Sequence, residues 1–124
     1  MNSDFKGRRR WGLVRSFAFA IEGIVHSLKY ERNIKIHLAV ALAVIILGVL
    51  YNVSSFEWLL IIFAIGGMIS FELMNTAVER VVDLVTSERH PLAKQAKDIA
   101  AGAVLIYAVM SVMIGCIIFL PKMF

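Results

Sequence analysis

The sequence predicts an all-α integral membrane protein, with one amphipathic helix lying on the membrane surface and three transmembrane helices. Three observations carry that expectation. Of its 124 residues, 60 % are hydrophobic, and a mean hydropathy of +0.79 is too apolar for a soluble domain of this length. Residues 99–120 form a 22-residue run without a charge, enough to cross a hydrocarbon core of ~30 Å. Of 13 Lys and Arg residues, eight precede Leu38, none lies between Leu38 and Glu79, four fall within residues 80–97 and Lys122 is last. The positive-inside rule then puts the N-terminus and the 80–97 connection in the cytoplasm, with the short loop at 52–57 and the C-terminus outside. A single domain over residues 1–124 is expected, since no repeat, low-complexity tract or linker interrupts the chain.

Residues 8–30 are expected to form the surface helix. Leu13, Val14, Phe17, Ile21, Ile24 and Leu28 share one face, and Arg15, Glu22, His26 and Lys29 share the other, as a helix in the interfacial plane requires. Arg15 and Glu22 also break the apolar run that a cleaved signal would need. Phe19 sits near the polar stripe, suited to anchoring at the interface or to touching a ligand. Glu31, Arg32 and Asn33 stand at the cytoplasmic mouth of the first span, residues 34–51. Ser54 and Glu57 have capping-box spacing and open the second, residues 56–86. Its 31 residues measure ~46 Å at 1.5 Å per residue, several turns more than the hydrocarbon needs. Such a helix leaves the core near Ala77, placing Glu79 and Asp83 at the interface and Glu72 about two turns deeper. Residues 87–91 break the pattern, and Pro91 suits the first turn of the third span, residues 91–120. Gly66, Gly67, Ala96, Ala100 and Ala103 are small enough to let helices approach closely. Cys116 has no second cysteine to pair with and reads as a small apolar filler.

One stripe of the second span resists a purely structural reading. At about 100° per residue, Glu72, Asn75, Thr76, Glu79, Asp83 and Thr86 fall within an arc of roughly 100° on one helix face. A charge at the bilayer centre costs at least ~2.5 kcal/mol, so a stripe of acids calls for something cationic to meet it. Glu31, Glu79 and Asp98 all stand at cytoplasmic helix ends, with Lys94 and Lys97 beside them. Carboxylates with interleaved lysines are what a magnesium nucleotide needs: hard oxygen ligands for the metal and cations for phosphate. The deeper Glu72 is placed to take a proton from a lipid alcohol, since a water-soluble substrate would need no base below the headgroups. No P-loop is present, and His26, His37 and His90 form no zinc pattern, so surface or packing roles are expected for them. The net charge of +4 fits an anionic leaflet without any nucleic acid. From the residues alone, a small proton- or cation-coupled transporter built on Glu72, or an assembly subunit, stays open beside a lipid-handling enzyme.

The segment FELMNTAVERVVD from Phe71, followed by HPLAKQAKD from His90, resembles the signature of the prokaryotic diacylglycerol kinase family. The pattern E-x-x-N-[ST]-A-x-E-x-x-x-D, then A-K-D, is long and specific, and the resemblance covers nearly the whole chain. The Glu31-Arg-Asn33 and H-P-L-A-K blocks and the terminal FLPK look most like the Gram-positive branch, whose members phosphorylate undecaprenol. The resemblance implies a plasma-membrane homotrimer with active sites shared between subunits, using MgATP to phosphorylate a lipid alcohol. Undecaprenol is the implied acceptor and diacylglycerol the alternative. By motif, Glu72 resembles the general base, Glu31 and Glu79 the magnesium-binding acids, and Lys97 and Asp98 the nucleotide-binding pair. Asn75 would orient groups around the base, Glu88, Arg89 and His90 match a segment contacting the nucleotide, and Asn33 would lie near the lipid. Phe19 stands where family members often carry Tyr, which would remove a hydroxyl contact and keep the stacking. A family arginine near the nucleotide matches only to within a few positions of Arg8, Arg9, Arg10 and Arg15, and no role is assigned to them.

Overall fold

A computed structural model describes residues 2–124, with side chains from Gly12 onward. The reading of Arg8, Arg9 and Arg10 concerns side chains and therefore lies outside what is described. The chain folds as α1 (Asn2–Tyr30), α2 (Arg32–Leu50), α3 (Ser55–Val85) and α4 (Pro91–Met123), all-helical as expected. The last three are long and apolar enough to cross a membrane. α1 with Glu31 forms one compact unit, and α2 to α4 form another.

Within the first unit, Leu13, Val14, Phe17, Ile21 and Ile24 are exposed, as residues meant for lipid should be. The ring of His26 lies 4.7 Å from that of Tyr30 one turn on.

In the second unit α3 is central and packs against both α2 and α4. The α2–α3 turn closes on Asn52, whose φ of 51° lies in the left-handed region that Asn tolerates better than most residues. α3 then starts on a full capping box: the Glu57 amide donates to Ser54 Oγ at 3.1 Å and the Ser54 amide to Glu57 Oε1 at 3.0 Å. At the same end Val53, Ile61, Ile118 and Phe119 form a buried cluster with Trp58 and Tyr51 against it. Gly48 is needed there, because a Cβ would meet the Trp58 ring at 2.6 Å. Lys122 reaches Glu57 at 3.2 Å, tying the end of α4 to the start of α3.

The α3–α4 seam depends on a second glycine. A Cβ on Gly67 would collide with the Tyr107 ring and hydroxyl. That ring is held in place, its hydroxyl donating to the Phe63 carbonyl at 2.5 Å and its face stacking on Phe71 at 5.1 Å. Gly66 meets nothing within 4 Å, so the close approach expected of the pair belongs to Gly67. At the other end α3 stops at Val85. Thr86 is extended and its Oγ1 accepts from the Glu88 amide at 3.1 Å. His90 caps α4 by accepting the Leu92 amide at Nδ1, 3.1 Å, with Pro91 in the first turn. Outward residues such as Leu42, Val49, Ile62, Ile106 and Ile117 are exposed, the arrangement of helices whose solvent is hydrocarbon.

Candidate active site

The acidic stripe of α3 turns inward, and its burial fades along the helix. Glu72 is 4 % exposed and Thr76 7 %, Asn75 and Glu79 are half-buried, and Asp83 is exposed. An ionisable group buried among apolar helices is costly unless something hydrogen-bonds it. Glu72 has such a partner on α2: His37 Nε2 lies 3.2 Å from Glu72 Oε1, with the two side chains 25 % and 6 % exposed. The sequence alone suggests only a surface or packing role for His37. Depth is a partial signal, giving the level of each residue but not which helix faces meet. His37 is five residues inside α2 from Arg32, and Glu72 is seven inside α3 from Glu79. At ~1.5 Å per residue in a helical hairpin, the two lie at similar levels.

One turn along from Glu72, Asn75 Nδ2 donates to Glu79 Oε1 at 3.3 Å. The other end of that amide, Asn75 Oδ1, is buried with no hydrogen-bond partner among the described residues. A buried acceptor left unpaired is uncommon and calls for a ligand or a water. Together these groups offer a carboxylate and an amide oxygen, both hard donors. Among the described residues no three His, Cys, Asp or Glu side chains gather as a preformed metal cage. Mg²⁺ does not need one: it is commonly held by one or two carboxylates, with waters and substrate phosphates completing its shell. The donor set fits that ion.

Beyond the end of α3, Asp83, Glu88, Arg89, His90, Lys97 and Asp98 line a polar cleft of about 670 Å³. Five of the residues expected at the nucleotide are thereby brought together, while Glu72, Asn75 and Glu79 lie outside that lining. Lys97 and Asp98 are not joined to each other. Lys97 Nζ binds Asp83 at 2.7 Å, bridging α3 to α4, and Lys94 Nζ binds Asp98 at 2.6 Å along α4. Both pairs are substantially exposed and weakened by solvent screening, so a polyanion can displace the carboxylates cheaply.

Three further expected site residues belong to the α1 unit or to the start of α2. Glu31, half-buried, belongs to the α1 unit and donates its backbone N–H to the Ser27 carbonyl at 2.8 Å. Phe19 is exposed on α1, and Asn33 is exposed in the first turn of α2. A second cleft of about 350 Å³ runs between α2, α3 and α4, almost wholly apolar, with His37, Met68, Ser111 and Phe119 among its lining.

Comparison with known proteins follows the same lines. The prokaryotic diacylglycerol kinase family matches residues 18–119. An undecaprenol kinase of Bacillus subtilis is 53 % identical over 109 residues, which cover 88 % of this chain and 89 % of the relative. A diacylglycerol kinase of Synechocystis is 37 % identical over 112 residues, covering 90 % of this chain and 64 % of the longer relative. A diacylglycerol kinase of Helicobacter pylori is 33 % identical over 110 residues, 84 % of each chain.

Proposed function

We propose a mechanism from a plain premise: the chain belongs to the prokaryotic diacylglycerol kinase family. It is a membrane lipid kinase with ATP as co-substrate, and the transporter and assembly readings fall with that membership. Its acceptor is undecaprenol and its product undecaprenyl phosphate, a lipid carrier for cell-wall precursors. The 53 % identity to an undecaprenol kinase over most of both chains supports that acceptor. Relatives named diacylglycerol kinases keep diacylglycerol as the competing one.

The observation that carries the chemistry is Glu72, a carboxyl buried at 4 % exposure inside an otherwise apolar span. The lipid hydroxyl approaches it from within the membrane and attacks the γ-phosphorus in line. A new O–P bond forms as the bond from that phosphorus to the bridging oxygen of ADP breaks, and the hydroxyl proton passes to Glu72. Asn75 orients the groups around the base, its buried Oδ1 serving as an acceptor. Glu31 and Glu79 would hold Mg²⁺, which when bound neutralises charge on the phosphate oxygens. The nucleotide occupies the polar cleft. Lys97 exchanges Asp83 for a phosphate, and Asp98, Glu88 and Arg89 contact the rest. His90 accepts at Nδ1 from Leu92, which puts the hydrogen of the neutral ring on Nε2 as a donor toward the ligand. Phe19 of α1 stacks near the nucleotide and Asn33 lies near the lipid headgroup.

The working unit is a homotrimer in the plasma membrane, N-terminus in the cytoplasm and C-terminus outside, with sites completed between subunits. If sites are shared, mixing inactive Glu72→Gln and Lys97→Met subunits restores part of the activity. If each subunit holds a whole site, mixing restores none. The decisive test of the acceptor is competition. Purified protein is given labelled ATP with undecaprenol and diacylglycerol at equal surface concentration in one micelle. Undecaprenyl phosphate is the expected main product. A preference for diacylglycerol would overturn the acceptor and leave the kinase standing.

A further inference from the structure

We propose that His37 is a positioning residue for Glu72, an inference that rests on Glu72 being the base. The imidazole comes from α2 and the carboxyl from α3, with Nε2 and Oε1 3.2 Å apart. A carboxylate can only accept a hydrogen bond, so this contact requires the hydrogen of His37 to be on Nε2. The bond occupies Oε1 and leaves Oε2 to receive the proton of the lipid hydroxyl. Once Oε2 has taken it, Oε1 is the carbonyl oxygen of a neutral acid and the same N–H still donates to it. His37 thus holds the carboxyl through the whole step and neither gains nor loses a proton.

The surroundings make the bond worth having. Glu72 is buried, and His37 also lines the nearly apolar cleft between α2, α3 and α4. A hydrogen bond in such a dry place is stronger than in water and fixes orientation more firmly. No other hydrogen bond to the Glu72 carboxyl is found among the described residues, so without His37 the carboxyl is free to turn about its last torsion. Misplacing a reacting group by about 1 Å can cost ~10²-fold in rate.

Three variants separate positioning from mere packing. In His37→Gln the side-chain amide nitrogen falls near the place of Nε2 and can donate. In His37→Asn the amide is too short, and in His37→Leu the donor is gone. Turnover, KM for MgATP and thermal unfolding are measured for each in the same micelle. The expected result is a kcat within about threefold for His37→Gln, and one lowered ~10–100-fold for His37→Asn and His37→Leu, the loss of one charge-assisted hydrogen bond. KM for MgATP should be unchanged in all three. In a Glu72→Gln background, His37→Leu should lower the residual turnover no further, because the bond it breaks serves only the base. Equal losses in all three variants, or full turnover in His37→Leu, would overturn the proposal. So would an undiminished effect in the Glu72→Gln background. Glu72→Gln measured alone keeps the two readings apart. If it stays active, the base assignment fails and this inference with it. If it is inactive while His37→Leu is fully active, only the positioning role fails.

Discussion

A carboxyl at 4 % exposure persists in an apolar helix only through what it touches, and among the described residues Glu72 meets the imidazole of His37 at 3.2 Å. Replacing the acid with its amide keeps the bulk and removes the proposed proton acceptor. Glu72→Gln should therefore fold, bind MgATP and lose turnover by ~10²–10⁴-fold, the usual worth of a general base. Turnover assays beside nucleotide-binding measurements check this, and near-normal turnover would remove Glu72 from the mechanism. The role proposed for Glu79 is different, that of a metal ligand. Its Oε1 accepts from Asn75, and an amide in its place is a poorer ligand for a hard cation. Glu79→Gln and Glu31→Gln should each shift the Mg²⁺ dependence of activity to higher concentration. Lower activity at unchanged Mg²⁺ dependence would point to ion pairing instead. The stripe holding Glu72, Asn75 and Glu79 was legible in the sequence because all lie on one helix, where periodicity alone sets the face. The His37–Glu72 contact was not. It joins residues 35 apart on two helices, and the period of neither helix says which faces meet.

Helix ends were equally legible, since capping is local. The Ser54–Glu57 box and Pro91 in the first turn of α4 both stand where the sequence put them. What could not be read was how the helices interlock. Gly66 and Gly67 are indistinguishable as letters, yet only the second faces Tyr107. That tyrosine cannot easily withdraw, because its hydroxyl is bonded to the Phe63 carbonyl and its ring is stacked on Phe71. Gly67→Ala should consequently destabilise the α3–α4 seam by ~1–3 kcal/mol, the range for overpacking. Gly66→Ala, with nothing within 4 Å, should be tolerated. Thermal unfolding of the two variants in the same detergent decides between them, and equal midpoints would mean that the seam relaxes around the added methyl. Ion pairing resisted the sequence in the same way. Lys97 lies beside Asp98 in the chain but bonds Asp83 across the seam, because adjacent residues on a helix point about 100° apart.

At the scale of the whole molecule, the distribution of charge bears on which side of the membrane the proposed site faces. Glu79, Asp83, Glu88, Lys94, Lys97 and Asp98 lie around the α3–α4 connection, and Glu57 with Lys122 lies at the opposite end of those helices. ATP is cytoplasmic, so the chemistry works only if the α3–α4 connection faces the cytoplasm. Twelve of the 13 Lys and Arg residues precede residue 98, all in the N-terminal segment or this connection, and such loops stay inside. Asn52 and Gln95 are both exposed and report on opposite ends. In a Cys116→Ala background, a membrane-impermeant thiol reagent applied to intact cells should label Asn52→Cys. Gln95→Cys should react only after the membrane is opened. Cys116 has to go because it is exposed, and reagent leaking into the membrane phase would otherwise give a false signal. Both cysteine positions avoid the site residues, so activity can be confirmed in the very samples that are labelled. Labelling of Gln95→Cys from outside in active protein would put the polar cleft on the side without ATP, and the proposed site would have to be abandoned.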